Sequence, residues 1–257
     1  MESDYKYIRF SRKNGIATIL LNRPPLNILN IEMMKEINQA LSEISDDKAL
    51  KLLILRAEGK AFSAGVDVAE HTVEKVEEMI KAFHQMFRLL YSLPAPSLAV
   101  VEGAALGGGC ELATFCDMII ASDKAKFGQP EIKVGVFPPI AALAFPWKIG
   151  LSRALELILT GDTIDAAEAE RINLINKVFP ANQFSDKSEE FIQKIAQMSS
   201  EVLRLSKKAT LQPLPIDFAH ALERIEDIYL KELMSTEDAL EGLSAFLEKR
   251  KPQWKGK

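Results

Sequence analysis

The sequence predicts an α/β fold, a sheet covered by helices, and three observations carry that reading. Short apolar runs at 50–56, 97–101 and 118–121 lack polar alternation, as expected of strands buried on both faces. Helical patterns at 73–93 and 107–115 stand between them, so strand and helix alternate along the chain. From Pro139 onward the pattern is almost wholly helical.

In chain order, residues 5–10 and 16–21 are β-prone and joined by Lys13-Asn14-Gly15, a strong hairpin signal. Arg23-Pro24-Pro25 ends the second strand, and Asn30 is placed to cap a helix with Met33, Met34, Ile37 and Leu41 at helical spacing. The run 50–56 reads as a buried strand, followed by a loop of small residues over 57–67. In helix 73–93, Val76, Ile80, Phe83, Phe87 and Leu90 fall on one stripe, and Pro94 and Pro96 stop it. Strand 97–101, helix 107–115 and strand 118–121 come next, then a second loop, KFGQPE, over 126–131. Helices are predicted at about 141–149, 151–160, 165–172, 184–200, 201–211, 216–234 and 236–249, with Gly161 as a stop and Asp165 as a cap. The last two are amphipathic, a tail suited to covering the site of its own or a neighbouring subunit.

Composition excludes several function classes. The chain has 257 residues, 47% hydrophobic and 26% charged, which fits a soluble protein with one large domain or a main domain and an appendage. A net charge of −4 argues against nucleic acid as a partner. No run is long and apolar enough for a membrane span, and MESDYKYIRF lacks a signal-peptide core, so a cytoplasmic protein is expected. Cys110 and Cys116 read as buried thiols rather than a disulfide, and no metal site of recognisable spacing is present.

Candidate chemistry lies in three loops that each follow a short apolar strand: 57–67, 102–111 and 126–131. Loops at the same strand ends lie side by side in a parallel or spiral sheet, where ligands bind. The triple glycine 107–109 lets main chain approach a ligand closely, and the N–H groups of the helix it opens have no intrahelical partners. Such a junction is either a tightly packed turn or a holder of negative charge, and the glycines alone do not decide. Convergence would gather the N–H groups of Val66 and Gly108 and the carboxylates of Glu111 and Glu131 around one cavity. Two N–H groups can hold a carbonyl oxygen that becomes an enolate; two carboxylates can activate and protonate. Glutamates at this spacing also occur as unrelated surface or cap residues. His71 and His84 read first as a helix-start and a helix-face residue, Cys110 as packing, and Phe83 and Phe87 as core, with a place facing the ligand pocket as the alternative for both histidines and both phenylalanines.

The segments AFSAGVDV (61–68), VEGAALGGGCELATFCDMIIAS (101–122), KFGQPEIKVGVFP (126–138), LTGDTIDAAEAERINLINKV (159–178) and EGLSAFLEKRKPQW (241–254) stand in the order and spacing of a known family. Over nearly its whole length the chain resembles the crotonase, or enoyl-CoA hydratase/isomerase, superfamily. That resemblance implies a crotonase-like spiral of ββα repeats, here residues 1–195 with the active site, and a helical C-terminal trimerisation region, 196–257. It implies Val66 and Gly108 as oxyanion-hole donors and Glu111 and Glu131 as the acid/base pair that flanks the catalytic water. Keeping both carboxylates favours hydration over isomerisation. Coenzyme A enters as part of an acyl-CoA substrate, with no separate cofactor, and its arm is expected along main chain at Ala64, Asp67 and Val68. Arg23 and Lys249 are candidates for its phosphates, or are solvated surface cations. A homotrimer or homohexamer is implied.

One departure narrows the resemblance. General hydratases of the family commonly carry a Gly-rich segment where this chain reads FPPIAA (137–142), which is stiffer and bulkier. That stretch, Glu70-His71 and the segment 229–254 look most similar to the cyclohexa-1,5-diene-1-carbonyl-CoA hydratases, which form 6-hydroxycyclohex-1-ene-1-carbonyl-CoA in anaerobic benzoyl-CoA degradation. A pocket lined by Phe137, Pro138 and Pro139 would suit a compact ring. A general short-chain enoyl-CoA hydratase and an enoyl-CoA isomerase are the alternatives.

Overall fold

Strands β1 (Ile8–Lys13) and β2 (Ile16–Leu21) pair antiparallel with Lys13 opposite Ile16. Asn14 and Gly15 between them both have positive φ, the requirement of a two-residue hairpin turn. The computed structural model describes residues 5–211 and 217–255. β1 starts later than predicted because the N–H groups of Lys6 and Tyr7 donate to the Glu36 carboxylate instead of a strand. Helix α1 (Ile31–Ile44) is capped by Asn30, whose Oδ1 accepts from Met33 N (3.2 Å), and its predicted apolar face is buried.

From there the chain repeats one unit. β3 (Leu52–Ala57) joins a larger sheet, β4 (Ala61–Ser63) a smaller one, and α2 (Val76–Ser92) crosses back. β5 (Ser97–Val101), β6 (Ala104–Leu106) and α3 (Gly108–Phe115) form the next unit; β7 (Met118–Ser122) and β8 (Lys126–Gly128) begin a third. The larger sheet has the order β1-β2-β3-β5-β7-β10, with β10 at Lys177–Phe179 and all pairs parallel from β2 onward, and the smaller one the order β4-β6-β8-β9, with β9 at Thr163–Asp165. This succession is a spiral of ββα turns.

Both faces of the larger sheet are covered, which explains its unbroken apolar strands. Leu53, Leu55, Ala99, Val101, Ile119 and Ala121 face the main core with the apolar sides of α1, α2 and α3. The alternate residues Leu52, Ile54, Leu98, Val100 and Ile120 face Phe184 and Ile192 of α7 (Phe184–Ala196).

Several expectations need correction. The smaller sheet was not anticipated: its strands have three residues each, too few to show a period, and they exist only through their neighbours. The segment 126–131 is therefore half strand, not loop. The part after Pro139 is not wholly helical either. α4 (Pro139–Ile149) and α5 (Leu151–Thr160) are followed by β9 (Thr163–Asp165), α6 (Ala166–Arg171) and β10 (Lys177–Phe179). Asp165 does cap α6, accepting from Glu168 N (2.8 Å). α2 starts at Val76 rather than 73, because Thr72 O accepts from both Lys75 N and Val76 N in a preceding turn.

α8 (Ser200–Leu211) begins after a break at 197–199. The helix expected over 216–234, whose first residue lies outside the described residues, is α9 (Phe218–Asp227) followed by a π-helical turn, Ile228–Glu232, and a 3₁₀ turn, Leu233–Ser235. α10 (Glu237–Leu247) closes the described helices. Phe218, Leu222, Tyr229 and Leu243 of this tail join the main core, so the segment after the anticipated boundary at 195/196 packs against the spiral of its own chain.

Candidate active site

The three glycines at the start of α3 answer three different neighbours. At Gly107, with φ of 53°, a Cβ would fall 2.7 Å from Glu131 Oε1. At Gly108 it would meet Val66 Cγ2 at 2.6 Å and the Phe83 ring at 3.0 Å; at Gly109 it would meet Ser63 at 2.5 Å. Cβ atoms essentially never come so close, so each glycine permits a separate approach. Their combined effect presses the loop after β4 against the helix start and brings Glu131 down beside it. Gly107 N donates to Gly128 O (2.9 Å), tying the same turn to the end of β8.

Two main-chain donors result. Leu29 N donates to Gly65 O (2.9 Å) and Leu29 O accepts from Asp67 N (3.0 Å), which turns the N–H of Val66 to the opposite side of this bridge. Gly108 is the first residue of α3, where N–H groups have no intrahelical acceptor and lie at the positive end of the helix. Among the described residues no backbone acceptor is found for either N–H. Both residues line one cavity of about 370 Å³.

Glu111 and Glu131 line it too. Glu111, on the first turn of α3, is 2% exposed, and its Oε1 accepts from Ile140 N (2.7 Å) and Ala141 N (2.8 Å). Those donors belong to the first turn of α4, so the carboxylate occupies the positive end of a second helix. Burial pushes its pKa up to about 7, against the pull of these two bonds. Glu131, on the 3₁₀ turn Pro130–Val134, is raised well above the usual carboxylate range, by burial first and by the charge of Glu111 second. Both carboxyls therefore hold a proton to higher pH than an ordinary carboxylate does, as an acid/base pair requires. Turned to suit its neighbours, the buried amide of Gln129 donates from Nε2 to Glu131 Oε2 (3.2 Å) and to Gly107 O (3.3 Å).

The cavity gathers most of the residues singled out in sequence. Ala64, Val66, Val68, Gly108, Glu111, Glu131 and Phe137 line it. Asp67 and Pro138 stand outside its lining. The N–H of Asp67 is used by Leu29 and its side chain caps a short 3₁₀ turn at Ala69 N (3.2 Å). Pro138 precedes α4 and accepts from Ala142 N (2.9 Å), and Pro139 takes its place in the wall. Arg23 is engaged locally: it donates to Ile28 O (2.7 Å), lies 3.8 Å from Asp67 Oδ2 and stacks over Tyr7. Lys249 is exposed.

His71 lines the cavity with Nδ1 3.1 Å from Asp67 O, at the end of a 3₁₀ turn rather than at a helix start. His84 is buried on α2 with Nδ1 2.7 Å from Glu226 Oε1, and burial lowers its pKa. Phe83 is shared between core and cavity. Burial raises the pKa of both Cys110 and Cys116, which suits packing and not attack. Among the described residues no group of three or more His, Cys, Asp or Glu is arranged to hold a metal ion, and no helix is long and apolar enough to cross a membrane.

Sequence reading missed three wall residues from the C-terminal tail, Tyr229, Leu243 and Phe246, as well as Gln129. Gln129 stood inside a motif already singled out. The other three carried no signal, since an apolar residue on a charged amphipathic helix reads as ordinary packing.

Residues 11–257 match the family model described as enoyl-CoA hydratase/isomerase. The chain is 40% identical over 253 residues to a probable enoyl-CoA hydratase of Mycobacterium bovis, covering 97% of this chain and 98% of that one. It is 37% identical over 246 residues to the cyclohexa-1,5-dienecarbonyl-CoA hydratase of Thauera aromatica, covering 96% and 95%. The crystal structure of an enoyl-CoA hydratase from Mycobacterium avium subsp. paratuberculosis superposes with a TM-score of 0.88 at 27% identity, covering 97% of this chain and 99% of that one.

Proposed function

The chain belongs to the enoyl-CoA hydratase/isomerase family, and we propose that it hydrates a conjugated cyclic dienoyl-CoA, most closely cyclohexa-1,5-diene-1-carbonyl-CoA. The broader activity, hydration of an enoyl-CoA ester by a hydro-lyase, follows from its relatives. One observation carries the catalytic assignment: two carboxylates with separated proton affinities line the same cavity as two unengaged main-chain N–H groups.

In this reading the thioester oxygen accepts from Val66 N–H and Gly108 N–H. Glu111 takes a proton from water as the water oxygen bonds to carbon, and the displaced electron pair moves onto the thioester oxygen. The resulting enolate or dienolate then takes the proton of Glu131 on carbon, so that one molecule of water has been added. Removing one such oxyanion donor typically costs about 3–4 kcal/mol of barrier. An acid or base in position supplies roughly 10²–10⁴-fold. Coenzyme A arrives as part of the ester.

The ring preference is supported by the aromatic and proline part of the cavity wall. Phe137 meets Tyr229 edge to face at 5.3 Å, and Pro139 stiffens the adjoining turn. Rigid aromatic and proline walls favour a compact, preorganised ring over a flexible chain, which must lose more rotamer freedom on binding. The 40% identity to an enoyl-CoA hydratase of unspecified ester supports a general short-chain hydratase as the second reading.

Parallel incubations with cyclohexa-1,5-diene-1-carbonyl-CoA and crotonyl-CoA in ¹⁸O-water separate them. Faster labelling of crotonyl-CoA product would overturn the cyclic assignment. A shifted double bond without label would point to an isomerase, and free CoA to a hydrolase.

Assembly into a homotrimer or homohexamer is supported by an exposed stripe on α5, Leu151, Leu155 and Leu159, beside the exposed Trp147 of α4. Free, buried Cys110 and Cys116 fit a reducing cytoplasm.

A further inference from the structure

We propose that the Tyr229 hydroxyl is a third polar group at the reacting centre, donating its hydrogen bond to the oxygen that is added, first as water and then as the product hydroxyl. The proposal rests on the hydratase reading above and extends it to a residue of the C-terminal tail.

Tyr229 stands on the cavity wall together with Glu111 and Glu131, and only 2% of its surface is exposed. Its ring is held edge-on by Phe137, so the phenol has a fixed direction. Among the described residues no hydrogen bond to its hydroxyl is found, and that oxygen is not one of the sealed atoms left without a partner, so it remains accessible from the cavity. The residue lies on the π-helical turn Ile228–Glu232, an irregularity that gathers at functional sites because it re-aims side chains from an otherwise regular helix.

Chemistry selects the added oxygen as the acceptor. The thioester oxygen already has the Val66 and Gly108 donors, and the carbon that is protonated offers no lone pair. A water that gives one proton to Glu111 and attacks with one lone pair keeps a second lone pair, which only a donor can hold. Burial, with Glu131 and Glu111 adding to it, raises the tyrosine pKa, so the phenol stays a donor throughout the working range.

Tyr229→Phe removes the hydroxyl and keeps the ring on Phe137. Turnover is measured beside the dissociation constants of two esters, the hydroxylated product and cyclohex-1-ene-1-carbonyl-CoA, which lacks that hydroxyl. Loss of one neutral hydrogen bond predicts a fall of about 3- to 10-fold in kcat and a similar loss of affinity for the hydroxy ester. Affinity for the deoxy ester stays unchanged. Equal shifts for both esters, or none, would overturn the proposal and leave Tyr229 as a wall residue.

Should Tyr229→Phe fail to fold, Tyr229→Met, whose flexible side chain can refill the space without a donor, is measured on the same two esters, and the same selective loss for the hydroxy ester is required. Wild-type protein that incorporates no ¹⁸O would sink the hydratase reading, while the two-ester comparison between wild type and the residue-229 variant would still judge Tyr229.

Discussion

Replacing Glu111 by Gln is expected to stabilise the protein while it destroys activity. Glu111 has an ordinary carboxyl value of 4.5 and a folded value of about 7, so the folded protein binds its proton more tightly than the unfolded chain does. Well below pH 4.5 both states are protonated and burial carries no ionic cost. Between pH 4.5 and 7 the unfolded chain ionises first and stability falls, and above 7 the folded state carries a buried charge. At 1.36 kcal/mol per pH unit, the interval from 4.5 to 7 amounts to about 3 kcal/mol of destabilisation above neutrality.

Glutamine keeps an oxygen for Ile140 N and Ala141 N and turns its amide toward the cavity, so the start of α4 keeps its cap. Urea denaturation at pH 8 and pH 5, at one protein concentration so that assembly is held constant, should show Glu111→Gln more stable than wild type by up to about 3 kcal/mol at pH 8 and by no more than about 1 kcal/mol at pH 5. Turnover should fall roughly 10²–10⁴-fold. A variant less stable than wild type at pH 8 would refute the reasoning, because the two helix-start bonds would then outweigh the burial cost of the charge.

The pH dependence of kcat/KM should rise through about 7 as Glu111 ionises and fall at higher pH as Glu131 loses its proton; a profile flat from pH 5 to 9 would contradict the separated pair. Gly109→Ala should destabilise by about 1–3 kcal/mol and lower activity, since its Cβ would lie 2.5 Å from Ser63 and force β4 away from α3; denaturation midpoints and turnover measure it. Phe137→Ala should reduce kcat/KM for the cyclic dienoyl-CoA by about tenfold more than for crotonyl-CoA, by removing the edge that holds Tyr229; equal losses on both esters would remove the ring argument.

Much of the site was legible because its residues obey local rules. The hairpin at Asn14-Gly15, the caps at Asn30 and Asp165 and the glycines before α3 are each dictated by the backbone geometry of a few adjacent residues. The ββα spiral came with the family motifs, whose order along the chain reflects the order of its turns. The smaller sheet was not legible, because three-residue strands such as β6 and β8 carry no period and acquire their structure only by pairing.

By itself, then, the sequence determined which loops come together, and Glu111, Glu131, Val66 and Gly108 do line one cavity. Only the tertiary structure decided what surrounds each carboxylate. How tightly a carboxylate holds its proton depends on what surrounds it: Glu111 lies against the start of α4, twenty-nine residues away at Ile140, while Glu131 lies on a short 3₁₀ turn beside that negative charge. The aromatic wall is likewise set at long range, by Tyr229 folding back from the C-terminal tail onto Phe137. Proton affinity and pocket shape are properties of an environment, and the environment exists only once the chain has folded around it.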